Sequence, residues 1–217
     1  MKKIRLGAGA LLMLSAMIIS DRADVILIYA FSAFLHEIGH LGAAKMLKIR
    51  IKEIKFDFSG VRICTDERLT PYKSEIALAM AGPLVNLIVT GAVMSFFKAQ
   101  GISSAEASEH IGYFLTQGGS EIYGAIGFFG LSAALQGGIN LLPVSTFDGG
   151  RITYCAIASL FGERSASRVT AAFSAASAFV LWTVSLYLML RMSSGLGIYV
   201  FAACIFASTL KDAEALS

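Results

Sequence analysis

The amino-acid sequence predicts an all-α polytopic membrane protein with about six transmembrane helices and a small cytoplasmic β-hairpin. Three observations predict it. Of 217 residues, 56% are apolar and 15% charged, and the mean hydropathy is +0.69; a soluble domain carries about 25% charged residues. That shortfall leaves too little polar surface to face water on every side, so lipid is the expected solvent. The apolar residues also gather into six runs, and the basic residues gather into one connection between them. The net charge of +3 is small and scattered, with no basic stripe interleaved with aromatics, which excludes a nucleic-acid partner.

The runs follow in order. Leu6–Ser20 comes after the basic start Met1-Lys2-Lys3-Ile4-Arg5, then Val25–Met46, Ile76–Phe97, Ile122–Val144, Val169–Leu190 and the shorter Gly195–Leu210. Most approach the ~20 residues that carry a helix across ~30 Å of hydrocarbon. The first run can also be read as a cleaved signal peptide, but Met17-Ile18-Ile19-Ser20-Asp21 lacks a small-x-small cleavage site, which favours its retention as a span. A single membrane-embedded domain over residues 1–217 is expected, with its core in 25–155 and accessory helices at 6–20, 169–190 and 195–210. Arg151–Phe161 is apolar but too short to span, so an interfacial or partly buried helix is expected there. Cys64, Cys155 and Cys204 are distant, odd in number and free of C-x-x-C spacing, so neither a disulfide framework nor a cysteine metal site is indicated.

Loop charge sets the orientation. The segment Lys45–Lys73 holds eight basic residues, whereas Lys98–Glu121 holds Lys98 beside Glu106, Glu109 and Glu121. Short basic loops stay in the cytoplasm. The chain is thus expected to be an integral protein of the cell membrane with both termini cytoplasmic; Arg22 and Arg191 are single-charge exceptions. Within the basic segment, Ile49, Ile51, Ile54, Phe56 and Phe58 nearly alternate with charged residues ahead of Ser59-Gly60, the pattern of a hairpin at the membrane surface.

The second run reads VILIYAFSAFLHEIGHLGAAKM and carries His36, Glu37 and His40 near its middle. An ionisable side chain there costs a few kcal/mol, so it is a functional candidate by default. In His-Glu-x-x-His the two imidazoles, at i and i+4, share a helix face and can converge on one ion, while Glu37 is turned ~100° away, towards a water rather than the ion. A catalytic zinc takes three protein ligands and keeps one position open. His110 lies in the acidic outer loop, across the membrane from the basic side, and reads as a plain loop residue. A carboxylate is required instead. The fourth run ends GGINLLPVSTFDGGRI, where Pro143 clashes with the carbonyl of Ile139 and should break the helix. Such a break at membrane depth lines a cavity or is buried in protein. The chain from Pro143 can then loop back to bring Asp148 to the ion, with Gly149 and Gly150 permitting a tight turn. The second and fourth runs both lead inward, so the two motifs approach the same side.

His36-Glu37-Ile38-Gly39-His40, together with Asn140-Leu141-Leu142-Pro143-Val144-Ser145-Thr146-Phe147-Asp148-Gly149, resembles the site-2 proteases, intramembrane metalloproteases with HExxH on one span and N-x-x-P-x-x-x-x-D-G on another. Ala81-Gly82-Pro83-Leu84-Val85-Asn86 on the third run is similar to that family as well. The resemblance covers about residues 25–155, and the size and six spans resemble its compact sporulation-type branch, which cleaves membrane-tethered precursors of transcription factors. No PDZ-like insertion is expected in the loops, and no CBS-type domain is expected after Leu210.

From these residues one Zn2+ ion on His36, His40 and Asp148 is expected, with Glu37 as general base. The implied substrate is a single-pass or membrane-tethered protein within the lipid bilayer, cut near the cytoplasmic side. Asn140 has two open roles: a hydrogen bond to the substrate backbone or developing oxyanion, or satisfaction of carbonyls freed by Pro143. Asn86 and Pro83 are expected to shape a helix break or only to pack. The competing classes are a metal-binding membrane transporter, which needs a continuous polar path that the nearly uncharged first, fifth and sixth runs do not offer, and a non-catalytic membrane scaffold, for which Glu37 beside both histidines would have no use.

Overall fold

A computed structural model describes residues 3–6, 22–49, 51–57, 60–65, 70–117, 121–192 and 196–214. The chain begins with strand β1 (Lys3–Leu6), followed by helix α1 (Ala23–Met46), strands β2 (Ile51–Asp57) and β3 (Gly60–Thr65), and helices α2 (Tyr72–Ala99), α3 (Ser104–Gln117), α4 (Ile122–Asn140), α5 (Asp148–Phe161), α6 (Glu163–Met192) and α7 (Leu196–Glu214).

The predicted fold class needs correction on both of its terms. Four helices among the described residues, not six, are long and apolar enough to cross a membrane: α1, α2, α4 and α6. The first apolar run lies almost wholly outside the described residues. The sixth falls in α7, whose apolar part, residues 196–210, rises only about 22 Å before Lys211, Asp212 and Glu214 end it, short of the ~30 Å of hydrocarbon. Nor is the fold all-α with an isolated hairpin. The strands form a three-stranded sheet in the order β1-β2-β3, β2 antiparallel to β3 and β1 parallel to β2, with Lys3 opposite Glu53 and Leu6 opposite Phe56. The short stretch Lys3–Leu6 reads as the charged start of an apolar run, and a four-residue strand leaves no periodicity to recognise.

The acidic connection also differs from expectation, since it holds helix α3. Ser103 and Glu106 form its start: the Ser103 N–H donates to Glu106 Oε2 (2.7 Å), and the Glu106 N–H donates to Ser103 Oγ (3.3 Å). This reciprocal arrangement satisfies two orphan donors of the first turn, and it holds the Glu106 carboxyl below the usual carboxylate range. His110 sits on α3, paired with Glu121 and leaning on the Tyr123 ring at 5.6 Å. Arg22, the exception in the charge pattern, precedes α1. It pairs with Asp24, donates to the Phe114 carbonyl (2.6 Å) near the C-terminus of α3, and lies over the Phe114 ring. A cation at a helix C-terminus answers both the free carbonyls and the dipole, so Arg22 has a local reason for its place.

Helices α1, α2 and α4 pack on one another, and α5 returns against α2 and α6. Helix α4 stops at Asn140, ahead of Pro143 as expected, and the chain turns through short hydrogen bonds such as Val144 N–H to the Leu142 carbonyl (2.7 Å). Val144 and Phe147 of this turn are buried with Ala178 of α6 and Ile205 of α7, and the Ser145 N–H donates to Ser174 Oγ of α6 (2.9 Å). The C-terminal helices thus buttress the turn that leads to Asp148.

Gly149 and Gly150 lie inside α5, not in a tight turn. A Cβ at Gly149 would overlap the carbonyl oxygens of Leu141 and Leu142, and one at Gly150 would overlap that of Val144. Their value is absence of bulk, which lets the start of α5 press against the preceding turn. Gly149→Ala should lower stability by about 1–3 kcal/mol, as overpacking does, seen as a reduced melting temperature in detergent. Gly138→Ala, at a position with open space around it, should leave the melting temperature unchanged or slightly raised.

Candidate metal centre

His36 and His40 occupy one face of α1, about 15 Å and 9 Å along the axis from its end at Met46. Both are buried, His36 to 3% exposure and His40 to 7%. Their Nε2 atoms lie 3.1 Å apart. Asp148, the first residue of α5, brings Oδ2 to 3.1 Å from His36 Nε2 and 3.2 Å from His40 Nε2. A first-turn position at a helix N-terminus favours a carboxylate. The three atoms form the one group among the described residues that could hold a metal ion.

The residues fit zinc. Tetrahedral coordination with ligand bonds of ~2 Å places neighbouring donor atoms about 3.3 Å apart, close to the separations seen here. Two imidazole nitrogens and one carboxylate oxygen are the donor types of a catalytic site with an open position. The His40 Nδ1–H donates to the Leu78 carbonyl (2.8 Å), which leaves Nε2 unprotonated and facing the other two donors. Glu37 Oε2 is buried beside this face with no hydrogen-bond partner, a position that a water or a substrate N–H can satisfy.

The model of peptidase family M50 matches residues 24–184. The chain belongs to peptidase family M50. A zinc metalloprotease of Methanocaldococcus jannaschii is 24% identical over 185 residues, covering 85% of this chain and 49% of that protein, so the chain spans about half the length of this curated relative. The solved structure of a site-2 protease from the same organism shares the fold, with a TM-score of 0.67 at 20% identity, covering 96% of this chain and 89% of the other.

In this M50 chain the third element of the centre is α2, which contributes more than the expected helix break. Pro83 lies inside an unbroken helix, so no break forms there; neighbouring packing tolerates such a proline at membrane depth. The segment instead supplies close approach and an amide. A Cβ on Gly82 would come within 2.6 Å of His36 Nε2 and closer still to His40 Nε2, while one on Gly39 would come within 2.6 Å of the Ala81 carbonyl. These two glycines, one on each helix, are what let α2 lie directly over the imidazoles. Asn86, 1% exposed, places Nδ2 3.1 Å from His36 Nδ1. The alternation of Gly82 and Asn86 at i and i+4 on one face was the signal available for this. Asn140 ends α4, half-buried, and the amide that touches the histidines is Asn86 instead. His110 stands apart on α3.

Arg151, one turn beyond Asp148, forms an ion pair with buried Glu75 at the start of α2. This pair fastens the carboxylate-bearing helix to the helix that covers the imidazoles. Gly82→Ala should eliminate metal retention, because the added methyl occupies the space of the histidine nitrogens; zinc per protein in the purified variant checks it. Gly91→Ala, with nothing within 4 Å of the added Cβ, should retain the parent ratio.

Proposed function

We propose that this M50 peptidase is an intramembrane zinc metalloendopeptidase that hydrolyses peptide bonds of membrane-tethered proteins near the cytoplasmic side. The observation that carries the reading is the donor face: His36, His40 and Asp148, from segments 112 residues apart in sequence, converge within 3.2 Å beside an unbonded carboxylate oxygen of Glu37. His36, His40 and Asp148 would hold the ion. When bound, zinc supplies Lewis-acid activation of water and of the scissile carbonyl. Glu37 accepts the proton of the attacking water and delivers it to the leaving amine. Its buried, unpaired oxygen supports that role, since no protein donor competes for it. Asn140, at the end of α4, offers a hydrogen bond to the substrate backbone.

The cytoplasmic side of cleavage rests on two supports. The basic segment Lys45–Lys73 follows α1 and precedes α2, so the centre lies towards the end of the bundle that carries most of the positive charge. Strand β1 joins the sheet formed by that segment, which supports a cytoplasmic N-terminus. A substrate is then a single-pass or otherwise tethered protein whose helix opens locally at that depth, as a helix must to expose a backbone carbonyl.

Glu37→Gln should retain one zinc per protein and lower cleavage by about 10²–10⁴-fold, the range of general acid–base catalysis. Membrane proteomes of cells carrying the parent or this variant should differ by uncut membrane-tethered proteins accumulating in the variant. Matching proteomes, with comparable turnover by the two purified proteins, would end the assignment. Asp148→Asn should lower zinc per protein after mild chelation, and an unchanged ratio would remove Asp148 from the ligand set.

A further inference from the structure

Two buried uncharged polar side chains, Ser32 and Asn86, and a half-buried third, Gln136, lie around His36 at membrane depth. Asn86 Nδ2 of α2 stands 3.1 Å from His36 Nδ1 and 3.5 Å from Gln136 Oε1 of α4, and the Ser32 hydroxyl of α1 stands 3.0 Å from the same Gln136 oxygen. Ser32 and Asn86 are each 1% exposed. A polar group in hydrocarbon costs several kcal/mol unless it is bonded, so a chain of three that ends on a metal-facing imidazole has a structural or functional purpose.

The identity of the bonds follows from the imidazole. His36 turns Nε2 towards His40 Nε2 and Asp148 Oδ2, so a metal there requires that nitrogen to be unprotonated. The single ring proton then sits on Nδ1, whose partner must accept. An amide with Nδ2 towards Nδ1 does the opposite: it donates, and so forces the proton onto Nε2, where it blocks the ion. Which end of a side-chain amide is oxygen follows from the bonds it must make. Turning both Asn86 and Gln136 by 180° keeps the separations and makes each of them complementary. His36 Nδ1–H donates to Asn86 Oδ1, and Gln136 Nε2 donates to Asn86 Oδ1 and to Ser32 Oγ.

We infer that Asn86 is a positioning residue for His36: its amide oxygen takes the Nδ1 proton and holds Nε2 open to the metal, with Gln136 and Ser32 fixing the amide that way round. Three transmembrane helices thus set the orientation of one ligand. Close approach makes this possible, because a Cβ on Gly137 would lie only 3.1 Å from Asn86 Cβ; α4 therefore comes near enough for Gln136 to reach. His40 obtains the same result from the Leu78 carbonyl, whereas His36 depends on a side chain, so its geometry is open to substitution. The inference rests on the proposed zinc site.

The test measures zinc affinity of the purified full chain in detergent by chelator competition, with the visible spectrum of the cobalt-substituted protein reporting ligand geometry. Asn86→Leu removes the acceptor and should weaken zinc by about 10–100-fold, the range for lost outer partners of a metal ligand, and should alter the cobalt spectrum. Asn86→Asp keeps an acceptor at Nδ1 and should bind zinc as tightly as the parent or more tightly, with the parent spectrum. Gln136→Leu should weaken zinc in the same direction as Asn86→Leu. Parent-like affinity in Asn86→Leu, or an Asn86→Asp variant as weak as Asn86→Leu, would overturn the inference while leaving the zinc site intact. Should Asn86→Leu fail to fold, Asn86→Asp and Gln136→Leu decide it: a weakened Asn86→Asp or a parent-like Gln136→Leu overturns it. A parent that binds no zinc overturns the site reading and this inference together.

Discussion

Everything in this molecule depends on bringing two imidazoles and a carboxylate to one point among apolar helices, where few polar groups are at hand to satisfy whatever the point leaves over. Hydrocarbon tolerates a polar group only when another group answers it. The fold meets that demand by subtraction as much as by addition. Gly39 and Gly82 remove the side chains that would hold α1 and α2 apart, and Gly149 and Gly150 remove those that would hold α5 from the turn before it. With the backbones this close, the Leu78 carbonyl reaches His40 Nδ1 and Asn86 reaches His36 Nδ1. The Nδ1 atoms of both imidazoles are thus answered by the elements whose closeness created the centre.

The same constraint explains the division of labour among the helices. Helix α1 carries the paired histidines, α2 covers them, and α4 delivers the turn that ends in Asp148. The last two helices supply none of these donor atoms, yet Ala178 and Ile205 close over Val144 and Phe147, and Ser174 accepts the Ser145 N–H. A turn broken by Pro143 has lost regular helical bonding, and it needs a wall to define its path. The ion pair between Arg151 and Glu75 works at the other end of the problem, fixing the rotation of α5 so that Asp148 faces inward. Burying a charge pair contributes little net stability; its use here is to choose one arrangement.

Much of this was legible in the residues. His36, Glu37 and His40 announce themselves because charge in the middle of an apolar run is costly, and the helical period then dictates which two share a face. Pro143 likewise marks where α4 must stop, within three residues. The errors have physical causes too. Gly149 and Gly150 were read as freedom to turn, when their function is the lack of a Cβ, and sequence alone cannot separate those two uses of glycine. Ser103 and Glu106 carry the capping-box spacing that starts α3, within a segment whose acidic charge bears on orientation and not on helix formation. The sheet could not be read in full, because β1 owes its existence to pairing with β2, 50 residues further along the chain. Among the described residues the span count falls below six because the apolar part of α7, though continuous, is too short to cross hydrocarbon.

Asn86 is the residue on which these lines meet. From sequence it is a polar interruption in an apolar helix, four residues after a glycine, and its surroundings in α2 suggest only packing. Its meaning appears when the tautomer of His36 is considered, since a metal-facing Nε2 leaves the proton nowhere but Nδ1. That proton needs an acceptor, and in lipid the acceptor must itself be held; Gln136 and Ser32 are within reach to hold it. A demand that starts at the ion is thus passed outward through α1, α2 and α4 by complementary donors and acceptors. Polar residues scattered along three apolar helices become intelligible as one chain, and its logic begins with a lone pair on a single nitrogen.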